Sequence, residues 1–322
     1  MSDAALSLAC RARWRWPEIV FWPLAFAALL LPPGKHLILN EIAILALFAL
    51  SLDLILGYAG IVSLGHAAFF GLGAYAAGLL CKHFTPDPLA GLAVAVATAA
   101  LLGLLTSLLV LRGSDLTRLI VTLGVALVLH EIANALPQWT GGADGLQGMV
   151  VGPLLGHFEF DLYGRTAYAY SLTVLFVLFL LARVVVRSPF GLSLMAIKRN
   201  ALRASAVGVP VHSRLIAIYT LAAAYAGAAG ALRAQTTAYV SLEFLEFERS
   251  ADVLLALIVG GPGWLYGGLL GAFVLKVMQD TLSANAPQFW MFWMGLFLVV
   301  LALVGRERLG AELRRLMARV RT

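Results

Sequence analysis

Lys198, Arg199 and Arg203 stand together in the segment Ser188–Gly208, between stretches that are almost free of charge. Clustered cations of this kind do no covalent chemistry; they hold a surface against a partner or in water. Leu194, Ile197, Ala201 and Ala204 recur at spacings of three and four, which places them on one face of a helix. The three cations lie off that stripe. The segment reads as a helix resting on a membrane surface and presenting itself to the cytoplasm. An ordinary positively charged cytoplasmic loop is the other reading.

Three glycine-rich runs carry the remaining polar groups. The first, from Gly57 to Tyr75, contains Ser63 and His66. Its small residues allow close helix packing, and they also allow a broken helix where the backbone lines a cavity. A helix starting at Ser63 would be capped by that residue and would leave free N–H groups able to attract a carboxylate. The second run is Gly260–Gly271 with Pro262, and the third is Thr140–Gly148 with Asp144. Asp53, His130, Glu131, Lys276 and Asp280 are the ionisable groups inside apolar stretches, where charge marks function by default. There is no Walker A sequence, no His-Glu-x-x-His and no Gly-x-Ser-x-Gly, so neither nucleotide hydrolysis nor intramembrane enzyme chemistry is expected. Cys10 and Cys81 show no metal or redox spacing, and no cofactor or metal is expected.

Such residues must be positioned by membrane helices. Of the 322 residues, 61% are hydrophobic and 12% charged, and mean hydropathy is +0.90; soluble domains carry about 25% charged residues. Long uniformly apolar runs exclude a β-barrel, whose strands alternate. The net charge of +6 is concentrated between spans, which argues for membrane orientation and against nucleic acid. Candidate spans are 19–33, 39–56, 62–81, 89–111, 117–136, 167–186, 214–235, 251–261, 264–283 and 287–305. The last-but-one pair is split at Gly260–Gly263, because a single helix of that length would be about 48 Å long against a core of about 30 Å. The expected fold is an all-α polytopic membrane protein with about nine full spans and one short or re-entrant helix. The basic head at Arg11, Arg13 and Arg15 resembles a signal sequence, but Leu31–Lys35 is no small-residue cleavage site. An uncleaved first span is expected.

With both termini in the cytoplasm, 17 Lys or Arg fall on the cytoplasmic side and 5 outside. The expected organisation is a basic N-terminus over 1–18, one membrane domain over 19–305 with the surface loop at 187–213, and a basic amphipathic tail over 306–322 that rests on lipid.

Together and in this order, the motifs resemble the LivM-type permease of bacterial branched-chain amino-acid ABC importers. The carrying pieces are Gly57-Tyr-Ala-Gly60 with Ser63–Tyr75, Ile120-Val-Thr-Leu123, Thr140–Gly145, Ser188-Pro-Phe-Gly191 with Ala196–Asn200 and Arg203–Gly208, and Val259–Gly263 with Gly268–Ala272. They cover residues 40 to 285. The resemblance implies a non-catalytic transport subunit in the bacterial inner membrane. It would form half of a translocation path for amino acids, especially branched-chain ones. Its implied partners are a second permease (a paralogue), separate ABC ATPase subunits and an extracytoplasmic solute-binding protein. The basic segment becomes a coupling helix, docking through Met195, Ile197, Lys198, Arg199, Leu202, Arg203 and Gly208. Candidates for the pathway are Ser63, Gly65, His66, Gly71, Thr122, Thr140, Gly141 and Asp144. Where this chain has Arg199, Ala201 and Ser205, the family pattern usually carries glutamates, which implies a more acidic cleft on the partner or a mainly apolar contact. Other readings are a stand-alone secondary transporter or channel, and an importer for urea, amides or aromatic acids.

Overall fold

The computed structural model describes residues 16–32 and 34–304. The expected basic N-terminal head and the amphipathic tail over 306–322 lie outside the described residues. Among the described residues, twelve α-helices of six residues or more organise the chain. They are α1 (Trp16–Ala27), α2 (His36–Asp53), α3 (Ala67–His83), α4 (Pro88–Val110), α5 (Asp115–Ala135), α6 (Arg165–Arg187), α7 (Pro189–Arg199), α8 (Ala201–Ala206), α9 (Val211–Thr237), α10 (Phe247–Gly260), α11 (Leu265–Asn285) and α12 (Trp290–Val304). A π-helical turn, Leu54–Ala59, extends α2. No strand occurs among the described residues, only two isolated antiparallel bridges. Among the described residues, five helices are long and apolar enough to cross a membrane, and α10 with α11 pass the same test only as a pair bent by 112°, a broken span or a re-entrant loop. Helix α3 has 17 residues, and α1 and α12 carry shorter apolar stretches. All ten apolar segments expected from the sequence are therefore helices.

Local chemistry sets where these helices begin. Asp87 accepts from Leu89 N–H at 3.1 Å, with Pro88 at the first helical position of α4. Asp161 accepts from Arg165 and Thr166 N–H at 3.2 and 2.9 Å and closes the start of α6. Partial burial pushes its carboxyl up, but these backbone hydrogen bonds outweigh it and hold the carboxyl below the usual range. The N-terminus of α6 thus keeps an ionised cap over the whole neutral range.

Helix α9 is the hub, packing against α2, α3 and α4. Its middle, Ala222–Ala234, is built almost entirely of alanine and glycine, and nearly every residue there is buried. Small residues let backbones meet where lipid provides no hydrophobic drive between helices. A Cβ added at Gly230 would lie 1.9 Å from Phe70 O, one at Gly73 2.4 Å from Gly227 O, and one at Gly103 2.4 Å from Ala223 Cβ.

Polar side chains tie the helices where packing alone would let them slide. Ser171 donates to Asn40 at 2.6 Å between α6 and α2. Gln235 of α9 donates to Pro88 O at 2.8 Å and accepts from Tyr170 at 3.1 Å. Glu18 of α1 is buried against Arg183 and lies 3.4 Å from Arg187, both on α6. A buried charge stripped of its partner costs about 3–5 kcal/mol, so this pair fixes α1 on α6.

By contact pattern the chain forms two units, residues 1–272 and 273–322. The second contains, among the described residues, the remainder of α11 and the whole of α12. Between α10 and α11 the break expected at Gly260–Gly263 is present. Gly261 and Gly263 have φ of +94° and +84°, which only glycine adopts freely. Beyond it the two helices close tightly, since a Cβ at Gly271 would lie 1.8 Å from Ala256 O.

Two outcomes test these contacts. Gly230→Ala is expected to lower stability by about 1–3 kcal/mol through overpacking, whereas Gly124→Ala, whose Cβ meets nothing within 4 Å, is neutral or gains up to about 1 kcal/mol; circular-dichroism melts in detergent separate them. Below the ordinary carboxylate range the Asp161 cap is lost as pH falls through its lowered value. Amide exchange at Arg165 and Thr166 is expected to accelerate there and not at neutral pH.

Candidate functional site

The first break lies at 60–66. Gly60 takes φ +75° and ends the π turn, and Ile61 N–H returns to Ile55 O at 2.9 Å. Helix α3 starts at Ala67 with His66 at its N-cap, which makes no side-chain cap bond. The start expected at Ser63 is thus four residues early, and Ser63 is not the cap. That role falls to Ser250, whose hydroxyl on α10 accepts from Ala67 N–H at 2.9 Å. The next two amides, Ala68 and Phe69, bond Gly65 O and His66 O at 3.1 and 3.2 Å. The first turn of α3 therefore holds its N–H groups internally and does not aim them at a ligand.

The other pathway candidates of this region pack closely. His66 is fully buried, stacks on Phe48 at 5.6 Å and contacts Ser51 Oγ through Nε2 at 2.8 Å. With the Ser51 hydroxyl given to Phe48 O at 2.6 Å, the network assigns the proton of His66 to Nε2 and leaves Nδ1 as an acceptor. Nδ1 and the Ser63 hydroxyl are buried without a hydrogen-bond partner. Leu64 N–H donates to Thr122 Oγ1 at 3.3 Å, and Thr122 donates to Leu119 O at 3.0 Å. Glycine is required at 65, where a Cβ would fall 1.7 Å from Thr122 O, and at 71, where it would fall 2.4 Å from the Leu245 side chain. Ser63, Gly65, His66 and Thr122 are thus brought together, with Gly71 one helical turn on.

Thr140, Gly141 and Asp144 form a separate group. Thr140 donates to Ala133 O at 2.6 Å and accepts from Gly142 N–H at 3.2 Å, so it folds the end of α5. Gly141, at φ +79°, leaves no room for a Cβ, which would lie 2.0 Å from Gly145 O. Asp144 is exposed, and Tyr239 donates to its carbonyl at 3.2 Å. Just beyond, Leu146 N–H bonds Val240 O at 2.7 Å and pins the loop to the segment after α9.

The second break is tied to the end of α2 through Asp53. This residue, at the end of α2, has no exposed surface. Its Oδ1 accepts from Gly263 N–H at 2.7 Å, while Oδ2 is buried with no partner. Of the other charges expected inside the apolar stretches, His130 is half-buried and Glu131 exposed on α5. Glu18 and Arg183 are not singled out by the sequence. The charge count puts Arg183 among the cations beyond the span, and only the packing of α1 on α6 shows it to be buried.

The basic segment is two helices. Ser188 caps α7 by accepting from Phe190 N–H at 3.2 Å, Pro189 fills the first helical position, and a Cβ at Gly191 would strike Val186 O at 1.9 Å. The Ser-Pro-Phe-Gly run is therefore the corner between α6 and α7. Asn200 breaks the helix and caps α8, accepting from Arg203 N–H at 2.9 Å. Leu194, Ile197 and Ala204 face inward as expected, whereas Ala201 is exposed. Ile197 is therefore turned away from the surface. A groove of about 430 Å³ lies along the pair, with Met195, Arg199, Arg203, Val207 and Val209 among the residues lining it. Leu202 is 85% exposed, and Gly208, at φ +90°, stands open. Arg214 of α9 lies 5.1 Å over the Phe190 ring and holds α7 to the bundle. Lys198 is outside the groove lining and donates instead to Gly57 O at 2.6 Å.

Removing the Ser250 hydroxyl by Ser250→Ala is expected to destabilise the protein by about 1 kcal/mol, as loss of a helix cap does. Ser63→Ala is expected to stay within about 0.5 kcal/mol. The same melts decide it, and the reverse order restores Ser63 as the cap.

Residues 36–304 match the family described as "Branched-chain amino acid transport system / permease component". The high-affinity branched-chain amino acid transport system permease protein LivM of Salmonella typhimurium is 30% identical over 290 residues, and that of Escherichia coli is 28% identical over 289. Each comparison covers 81% of this chain and 66% of the relative, so the chain spans just under two thirds of their length. A probable branched-chain amino acid transport permease protein LivH of Methanocaldococcus jannaschii is 25% identical over 273 residues, covering 78% of this chain and 82% of the relative. No solved structure matches the chain. An all-helical bundle among the described residues and a family match across most of its described length place this chain in the branched-chain amino acid transport system permease family.

Proposed function

We propose that the chain is the membrane subunit of an ATP-driven importer for branched-chain amino acids. It sits in the bacterial inner membrane with both termini in the cytoplasm. It forms half of a translocation path with a second permease and receives solute from an extracytoplasmic binding protein. ATP is hydrolysed by separate subunits, which dock on α7 and α8.

The α7–α8 pair carries this reading. It is short, it stands at the end of a long apolar span, and its groove combines apolar lining with Arg199 and Arg203. Neither arginine has a hydrogen-bond or ion-pair partner for its side chain among the described residues. Cations at an apolar groove suit an acidic, partly apolar partner surface and set which surface fits. The positive-inside excess supports a cytoplasmic position for the same segment, where ATP is. The relatives named for branched-chain amino acid transport support the substrate class. The close packing around Ser63, His66 and Thr122 supports a rigid joint there, beside the route and not a binding site within it.

An affinity tag on this chain, with purification from the membranes of its own cells, tests the assembly. A co-purifying ATPase and ATP-dependent leucine uptake in proteoliposomes are expected; leucine transport by the lone chain overturns the proposal in favour of a secondary transporter. Arg199→Glu with Arg203→Glu is expected to reduce the recovered ATPase at least about tenfold, because like charges brought together at an interface cost several kcal/mol, while leaving the amount of folded permease unchanged.

A further inference from the structure

Lys198 belongs to α7, one of the two helices that face the partner, yet it reaches the other way. Its ammonium bonds Gly57 O at 2.6 Å, and its stem lies over Gly60, 3.0 Å from where a Cβ would stand. The residue thus bridges α7 to the π turn that ends α2. A π turn is a strained, rare element that recurs at functional positions. Gly57 is also the point where the π turn touches the second break. A Cβ there would lie 2.0 Å from Asp53 Oδ1 and 2.5 Å from Gly263 N. Asp53 in turn holds Gly263 N–H through Oδ1 and keeps Oδ2 buried and bare.

The knot therefore contains one cation, one carboxylate and two acceptors for the cation. Lysine is a compact charge on a flexible four-carbon stem. It can rest on Gly57 O, as here, or turn toward Asp53, whose carboxyl lies beside Gly57. Either choice is tied to where α7 stands, because the stem is anchored there. Either choice also changes how firmly Asp53 holds Gly263, the residue on which the bend between α10 and α11 turns.

We propose that Lys198 and Asp53 are positioning residues for transport, forming a latch that carries displacement of α7 to the broken span at Gly261–Gly263. This rests on the reading of α7 and α8 as the ATPase-docking pair. The cations of that segment then have separate roles. Arg199 and Arg203 meet the partner, and Lys198 conveys the result inward.

The importer purified through a tag on this chain, reconstituted with leucine as the probe, tests the latch. Lys198→Met is expected to recover the wild-type amount of ATPase but to lower leucine transported per ATP hydrolysed about tenfold, within the range of coupling between linked sites. Lys198→Arg, which keeps the charge, is expected to restore much of that ratio. Asp53→Asn is expected to lower it as Lys198→Met does, and the double variant to lower it no further than either alone. A merely structural role would lower the amount of folded complex without changing the ratio, and that result overturns the latch. Loss of ATPase from Lys198→Met in parallel with uptake also overturns it, making Lys198 a docking residue while the importer reading stands. Additive losses in the double variant show two independent sites and sink it as well. If the unaltered chain recovers no ATPase, the importer reading fails and the latch with it.

Discussion

Backbone groups freed by a broken helix inside an apolar bundle have no water to fall back on, and every freed group must find a protein partner. That constraint organises the interior here. Helical structure stops inside the bundle at two places, between α2 and α3 after Ala59 and between α10 and α11 after Gly260, and the sites where polar side chains enter the bundle are largely the sites where those stops need closing. Ser250 takes the amide of Ala67, Thr122 takes that of Leu64, Asp53 takes that of Gly263, and Lys198 covers the carbonyl of Gly57. Each partner comes from an element remote in sequence, so the breaks are also cross-links. Opening one would disturb the helix that closes it.

The glycines serve the same end by distance. At Gly57, Gly65 and Gly260 the space for a Cβ is already held by a neighbour's oxygen, or by that of Asp53 itself. Side chains there would push the breaks apart and strand the polar groups that now meet. The hub helix α9 follows the same logic without a break: its alanines and glycines bring three other helices within backbone contact. Packing of this kind has few intermediate positions, since interiors filled to this density resist small continuous deformation. Movements in such a bundle are expected as shifts between discrete arrangements, hinged where helices already stop.

The α7–α8 pair differs in composition and in freedom. It is short, polar on one side, held by a corner at Ser188–Gly191 and by the stacking of Arg214 on Phe190. Its inward face, Leu194, Ile197 and Ala204, anchors it, while its groove side stays open. One cation of the segment, Lys198, turns from the groove and reaches the π turn at Gly57, beside the second break.

Sequence alone determined the membrane class, the ten apolar helices, the break at Gly260–Gly263 and the inward stripe of α7, because each depends on local composition, length or periodicity. It also supplied the resemblance carried by ordered short motifs. It placed the start of α3 at Ser63, because serine caps helices as a rule; the true start depends on Ser250, 183 residues away, which no local rule can register. It grouped Lys198 with Arg199 and Arg203, because charge and spacing are alike for all three. Only tertiary structure separated them, since the carbonyl that receives Lys198 lies 141 residues earlier in the chain. Asp53 was legible as a charge in the wrong solvent, but its partners were not. Local pattern says which residues need partners; the meeting of distant backbone in a water-free interior decides which partners they get.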